Sequence, residues 1–167
     1  FINSRLVKGL PLAEAIYAPN LKLPGHSHRH AGFCLILQGS YNESYGGTLL
    51  ECKPSYVKFQ PAGELHSDLY GNESVHSFII ELEHTWLTHM GVNSLVGNNP
   101  AVFHSSSIGW LMMKLRKEFH STDVEAPFVI EALVLELIAE TSRNRAKISK
   151  DDHPRWLRQA KEYLDEQ

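Results

Sequence analysis

The chain has few cysteines and no long apolar segment. Its 167 residues include two cysteines, Cys34 and Cys52, and both lie in segments with the composition of strands. Two such cysteines, with no other mark of secretion, indicate reduced thiols rather than a disulfide framework. No apolar run approaches the about 20 residues that a membrane helix needs, and the first residues lack the apolar core of a signal peptide. These absences predict a cytoplasmic protein with no membrane partner.

Positive charge is also scarce. The 16 Lys and Arg residues are outnumbered by 19 Asp and Glu residues, which gives a formal net charge of −3. Because nucleic-acid binding depends on clustered Lys and Arg, this balance argues against DNA binding by the chain alone. Histidine, in contrast, is abundant at ten residues. Histidine is the common metal ligand and titrates near neutral pH, so this excess points to a functional site.

The two halves of the chain have different residue patterns. From Leu12 to about Glu83, short β-branched and aromatic runs alternate with Gly, Pro and Asn turn residues. This spacing predicts an antiparallel β-sandwich or barrel. The run FCLIL (33–37) is apolar on both faces and predicts a central strand. In HSFIIELE (76–83), the alternation predicts a strand with one drier and one wetter face.

From His84 onward the pattern becomes helical. A short helix is predicted around 84–90, a helix with one apolar stripe at 105–120, and a helix that is apolar on most sides at 125–147. A helix that is apolar on most sides must be covered on most sides. One flank is expected to pack on the barrel or the neighbouring helix, and the other on a second copy of the chain. The residues expected at this dimer interface are Phe128, Ile130, Leu133 and Leu137.

Three histidines occupy every second position of LPGHSHRHAGF (23–33), namely His26, His28 and His30. In an extended segment these side chains share one face. A further candidate, His66, follows a Pro-Ala-Gly corner. Three imidazoles suit zinc, iron, nickel or copper. The same residues also suit the polar floor of an organic-ligand pocket or a solvated edge strand, and the pattern alone leaves the three interpretations open.

Two segments, HSHRHAGFCLILQG and PSYVKFQPAGELH, resemble the two cupin motifs. The matching positions are His26, His28 and Gly39 in the first motif and Pro61, Gly63 and His66 in the second. Metal-dependent cupins have a glutamate ligand where this chain has Gly32, so their ligand set of three His and one Glu is incomplete here. Glu43, on the next predicted strand, is a candidate substitute. Gly32 itself has two interpretations, a wider pocket or a β-bulge.

The order of segments resembles the arabinose-regulator-type (AraC/XylS) transcription factors, in which a cupin barrel precedes a dimerising helix pair, a linker and two helix-turn-helix units. The resemblance implies a mainly β fold with C-terminal helices, in the form of a cupin-like antiparallel β-barrel (jelly roll). It divides the chain into a ligand-sensing barrel with an N-terminal arm (1–83), a helical dimerisation region (84–147), and a linker with the first helix of a truncated DNA-binding domain (148–167).

The resemblance implies a homodimeric sensor and not an enzyme. It would bind a small-molecule effector and contact DNA only through a domain missing from this chain. The expected ligand-binding residues are His26, His28, His66, Tyr17, Glu43 and Gln60. The three histidines are also the candidate ligands of a divalent metal, and no cofactor is certain. Two alternatives stay open: a metal-dependent cupin enzyme (dioxygenase or isomerase) that uses the three-His site, and a structural dimerisation domain whose barrel is filled.

Overall fold

The computed structural model describes residues 1–151. Their strands are β1 (Asn3–Val7), β2 (Leu10–Tyr17), β3 (Lys22–His26), β4 (Ala31–Gln38), β5 (Tyr41–Tyr45), β6 (Thr48–Cys52), β7 (Val57–Gln60), β8 (His66–Tyr70), β9 (Val75–Leu82) and β10 (Ala101–Phe103). Their helices are α1 (His84–Met90), a short 3₁₀ helix (Asn93–Leu95), α2 (Ser106–His120) and α3 (Ala126–Asp151). None of the helices described is long and apolar enough to cross a membrane.

The strands form two antiparallel sheets, with the orders β1-β2-β9-β4-β7-β10 and β3-β8-β5-β6. From β2 to β9, the chain alternates between the sheets except at the β5–β6 hairpin. This alternation is the jelly-roll topology, extended here by β1 and β10 at the edges. The predicted fold class, mainly β with C-terminal helices, is therefore confirmed. Strand β4 lies inside its sheet between β9 and β7, as its two-sided apolar pattern predicts.

The six-stranded sheet has one face toward the helices and one toward the second sheet. On β9, Phe78 and Ile80 belong to the core shared with α2 and α3, whereas Ser77, Ile79 and Glu81 line a cavity between the sheets. The predicted drier and wetter faces are both present. The wetter face is the wall of an internal cavity rather than an open surface.

Polar contacts fasten the helices to the β1–β2 hairpin. Arg5 on β1 donates hydrogen bonds to the backbone carbonyls of Phe119 and Ser121 at the end of α2. Glu14 on β2 accepts hydrogen bonds from Arg116 Nε at 2.5 Å and His120 Nε2 at 3.1 Å. Burial would raise the pKa of Glu14, but these two contacts outweigh it, and the pKa lies below its ordinary value of 4.5.

Helix α3 packs inside the chain's own core, which corrects the expected dimer interface. Ile130, Leu133 and Leu137 lie in one apolar cluster with the six-stranded sheet and α2, and each is at most 5% exposed. They cannot contact a second copy without unpacking this core. Only Phe128, at 65% exposed, points outward. The two apolar flanks of α3 are covered largely by one protein chain.

The secondary structure differs from the sequence-based expectation in three of the expected regions. The expected N-terminal arm is mostly sheet, because residues 3–17 form β1 and β2. The region expected to be helical, 84–147, contributes β10, which pairs with β7. Helix α3 continues to Asp151, into the expected linker. The expected DNA-binding helix, with the rest of the linker, falls on residues 152–167 and lies outside the described residues.

Candidate ligand and metal site between the sheets

A cavity of about 150 Å³ lies between the two sheets. The six-stranded sheet contributes Lys58 and Gln60 from β7 and Ser77 from β9 to its lining, and the four-stranded sheet contributes His26 and Asp68. These residues face inward because strand side chains alternate and the neighbouring positions, such as Val57 and Phe59, fill the helix-side core. Polar side chains from the inner faces of both sheets therefore line the cavity.

Three imidazoles meet at the cavity. The pairing of β3 with β8 places His26 opposite His66, and their ring centroids are 4.2 Å apart. The His28 ring lies 5.1 Å from that of His66 and 5.2 Å from that of His26. One ring nitrogen from each histidine lies within 4.8 Å of the others. The two segments that carry the motif resemblance thus converge in space.

The path of the chain through these histidines differs from the expected extended strand. Strand β3 ends at His26, so His28 and His30 lie in the loop before β4. A backbone hydrogen bond from Gly63 N–H to the His28 carbonyl, at 2.8 Å, ties this loop to the turn before β8. His30 also lines the cavity but is not part of the three-imidazole group. The loop, rather than strand alternation, brings His28 to His66.

Hydrogen bonds orient two of the rings. His26 Nδ1–H donates to the Pro24 carbonyl at 2.8 Å, and His66 Nδ1–H can donate to the Glu64 carbonyl at 3.1 Å. In His26 this bond leaves the Nε2 lone pair free, as at metal sites where a backbone carbonyl sets the tautomer, whereas His66 Nε2 also faces the Gln60 amide. The Gln60 amide nitrogen lies 2.7 Å from His66 Nδ1 and 3.2 Å from its Nε2, and it can donate to whichever of the two carries no proton. Burial, followed by the neighbouring imidazoles, lowers the pKa of His28, and burial also lowers that of His66.

This donor set fits a divalent metal. Neutral imidazole is the form that binds metals, and three imidazoles plus a water are a common first coordination shell. His26, His28 and His66 would hold the ion. Their ring nitrogens would need to draw in from separations of up to 4.8 Å. Tetrahedral coordination at 2.0–2.1 Å places such ligand atoms about 3.4 Å apart. The site is thus a candidate for a metal, as the sequence indicates.

Beneath the imidazoles lie three buried charged groups. Strands β5 and β8 set Glu43 opposite Asp68, and Lys58 reaches across from the other sheet to place Nζ 2.6 Å from Glu43 Oε1. The same Glu43 oxygen is 3.5 Å from His66 Nε2. None of the three charged residues is more than 8% exposed. Ligand atoms of Glu43, His66 and Asp68 also lie within 4.8 Å of one another, as a second group with the residue types of a cation site.

The charges of this group shift one another's pKa values. Burial alone would lower the pKa of Lys58, but the negative charge of Glu43 outweighs it and raises the pKa, so the ammonium is retained. Burial raises the pKa of Asp68 to about 6, with Lys58 opposing the shift and Glu43 adding to it. The cavity floor thus combines two carboxyl groups and one ammonium.

Two polar atoms at the cavity make no hydrogen bond of ordinary geometry among the described residues, although Glu43 lies near one of them and Cys34 near the other. They are Asp68 Oδ1 and Ser77 Oγ, and both residues line the cavity. A stack of tyrosines stands beside them, with ring centroids 4.8 Å apart between Tyr17 and Tyr70 and between Tyr70 and Tyr41. Burial raises the pKa of Tyr17 to about 12, so its hydroxyl stays protonated. Together these atoms offer hydrogen-bond partners and an aromatic wall to a ligand.

The expected ligand-binding residues all lie at or beside this cavity. His26, His28, Tyr17 and Gln60 line it, while His66 contacts Gln60 and Glu43 contacts the lining residue Lys58. Three further lining residues, Lys58, Asp68 and Ser77, were not expected from the sequence. The alternation of strand residues would have found two of them, because Lys58 is two positions before Gln60 and Asp68 is two after His66.

Gly32 is explained by close backbone approach. It is paired regularly with Gln60 and Glu81, so it does not mark a bulge. A Cβ at this position would lie 2.8 Å from the Ile80 carbonyl oxygen. The glycine also lines the cavity. Of the two interpretations of Gly32, the pocket wall fits and the bulge does not.

No protein-family model matches the chain, and no curated protein matches it by sequence. Among solved structures, it is similar to a cupin-superfamily protein from Desulfitobacterium hafniense (19% identity, 44% of this chain and 66% of that one, TM-score 0.40). It is also similar to the cupin domain of Cnp3 from Schizosaccharomyces pombe (18% identity, 55% and 70%, TM-score 0.46). A third is an oxalate decarboxylase variant from Bacillus subtilis (14% identity, 49% and 25%, TM-score 0.43), of which the chain spans a quarter. These likenesses accord with the jelly-roll topology and carry no argument about activity.

Proposed function

We propose that the chain is the effector-binding and dimerisation part of an AraC-type transcription regulator, and that it controls a DNA-binding domain outside this sequence. The observation that supports this most is the internal cavity, where Asp68 Oδ1 and Ser77 Oγ are buried without partners. A buried polar atom without a hydrogen bond costs about 1–3 kcal/mol, which a polar ligand would recover. In a barrel with only a structural role, an ordered water would have to satisfy these atoms instead.

The position of β9 supports coupling between the cavity and the helices. Ser77 and Ile79 face the cavity, while Phe78 faces α2, where its ring centroid lies 5.4 Å from that of Phe119. A ligand that displaces β9 would therefore change the surface on which α2 packs. Such a ligand shifts the protein only to the extent that it binds one arrangement better than the other.

The test is whether a small molecule occupies this cavity. Native mass spectrometry of the purified protein is expected to show a bound compound. Ile79→Trp, which places a large ring at the cavity wall, should abolish the bound mass. Leu69→Trp makes a similar change on the exposed outer face of β8 and should retain it. Equal occupancy in both variants, with both folded by circular dichroism, would contradict the proposal.

Dimerisation remains part of the proposal, through a surface that keeps Phe128 as the one exposed member of the four residues first expected. Trp110 on α2 and Phe128 on α3 are 58% and 65% exposed. We expect sedimentation to show a dimer for the wild-type chain and a monomer for Trp110→Asp. A wild-type monomer at about 0.1 mM, well above the micromolar Kd typical of a weak specific interface, would contradict this part of the proposal.

A metal-dependent enzyme is a second candidate, favoured by the three-imidazole group. A bound divalent ion would supply Lewis-acid chemistry or an activated water. The chain's own residues would hold the ion and, through Pro24 and Glu64, orient its ligands. Metal analysis without chelator should then find one ion per chain, lost in the His26→Ala/His66→Ala double variant and kept in His89→Ala, which changes an exposed histidine. Metal-free wild-type protein would contradict this candidate.

A further inference from the structure

The cavity floor has one positive charge fewer than its carboxylates require. Glu43 and Asp68 face each other across β5 and β8, where like charges directly opposite are destabilising. Lys58 binds Glu43 at 2.6 Å and is the one Lys or Arg among the described residues that line the cavity. Asp68 keeps Oδ1 without a partner. Among the described residues, no second Lys or Arg side chain lines the cavity to pair with Asp68.

The surroundings do not correct this imbalance. Glu81 on β9 adds another carboxylate to the cavity lining. The carboxylate side chains around the cavity thus outnumber the ammonium groups, and a negatively charged ligand would be repelled.

The space and the walls limit the size and type of the ligand. The cavity volume of about 150 Å³ equals that of an engineered protein cavity that binds benzene, so one ring with a short substituent fits. Tyr17, Tyr41 and Tyr70 form a stacked aromatic wall beside Asp68. Aromatic faces attract ammonium groups and pack against apolar rings.

We propose that the ligand of this cavity is a small organic cation, with an ammonium group that donates hydrogen bonds to Asp68 Oδ1 and Ser77 Oγ and a ring-sized body against the tyrosines. This assignment rests on the proposed ligand-binding function and adds the chemical class of the ligand. Asp68 supplies the charge, and Ser77, which is 1% exposed and lines the same cavity, supplies a neutral acceptor.

Three probes of nearly equal size and different charge test the assignment. Benzylamine, benzyl alcohol and benzoate are titrated by calorimetry into chelator-treated full chain at pH 7.5. Benzylamine is expected to bind about tenfold or more tighter than benzyl alcohol, because charge-assisted hydrogen bonds are about twice as strong as neutral ones. Benzoate is expected not to bind.

Two variants make the result specific to the cavity. Asp68→Asn keeps the shape and removes the charge, and it should reduce the preference for benzylamine over benzyl alcohol to below about threefold. Glu73→Gln makes the same charge change on an exposed loop before β9 and should leave the preference unchanged. Thermal melts establish that both variants are folded before the titrations.

Each contrary outcome has its own meaning. If benzyl alcohol or benzoate binds as well as benzylamine, the cavity still binds ligands and only the cation assignment is overturned. A preference that persists in Asp68→Asn overturns it as well. If zinc chloride binds in an Asp68-dependent way while benzylamine does not bind, the missing charge belongs to a metal ion and the organic cation is excluded. If none of the three probes binds, the assignment is overturned, and the mass of any bound compound decides the proposed function separately.

Discussion

Removing either partner of the buried Lys58–Glu43 pair should destabilise the protein strongly. The two single substitutions should differ in the size of this loss. With Nζ and Oε1 2.6 Å apart, two unit charges attract by about 6 kcal/mol at an effective dielectric constant of about 20. Desolvation costs several kcal/mol for each ion, so the intact pair contributes little net stability. Removing one partner leaves the other charge buried and uncompensated, which costs about 3–5 kcal/mol.

The neighbouring carboxyl group of Asp68 determines which of the two single substitutions lowers the free energy of unfolding more. Lys58→Met leaves Glu43 and Asp68 facing each other without a cation, whereas Glu43→Gln leaves Lys58 beside Asp68. We therefore expect Lys58→Met to lower the free energy of unfolding more than Glu43→Gln does. The double variant should lose much less than the sum of the single losses, with a coupling energy of about 2 kcal/mol or more.

Urea unfolding at pH 7, followed by fluorescence and circular dichroism, measures these values. The exposed pair Lys53–Glu51, at 2.9 Å with side chains 46% and 56% exposed, is the matched control. Lys53→Met and Glu51→Gln should each cost less than about 1 kcal/mol. Additive losses at Lys58 and Glu43, or a smaller loss for Lys58→Met than for Glu43→Gln, would refute the reasoning.

Three further variants, with Trp110→Asp as a comparison, test the helix docking, the cavity wall and the core. Since the native pKa of Glu14 lies below 4.5, its stabilisation is present above pH 4.5 and is lost as the pH falls through the native value. The stability difference between wild type and Glu14→Gln, from urea melts, should thus be largest near pH 7 and vanish in acid. Gly32→Ala should cost about 1–3 kcal/mol in the same assay, since its Cβ would meet a backbone oxygen. Leu133→Asp should unfold the chain, whereas Trp110→Asp should lower its melting temperature only by the smaller amount that loss of the dimer costs, because only Leu133 is buried within one chain.

Local residue patterns were sufficient to predict most of the strands and helices. The alternation in HSFIIELE identified β9 and both of its faces, and the apolar spacing at 105–120 identified α2 to within one residue. These predictions succeed because strand and helix periods are properties of adjacent residues. The motif resemblance likewise predicted that His26 and His66 belong to one site, and the register of β3 and β8 pairs them.

Long-range pairing decided the rest. The apolar flanks of α3 are equally typical of a core helix and of an interface helix. The packing of α2 and the sheet against Leu133 and Leu137 makes them part of the core. Similarly, Lys58 is an ordinary strand lysine until β7 is set across from β5 and its ammonium meets Glu43. A sequence states which side chains share a face of one element. The contacts between charged side chains depend on the register and stacking of elements far apart in the chain. In this protein, the stacking of the two sheets created both the cavity and its excess of carboxylates over ammonium groups.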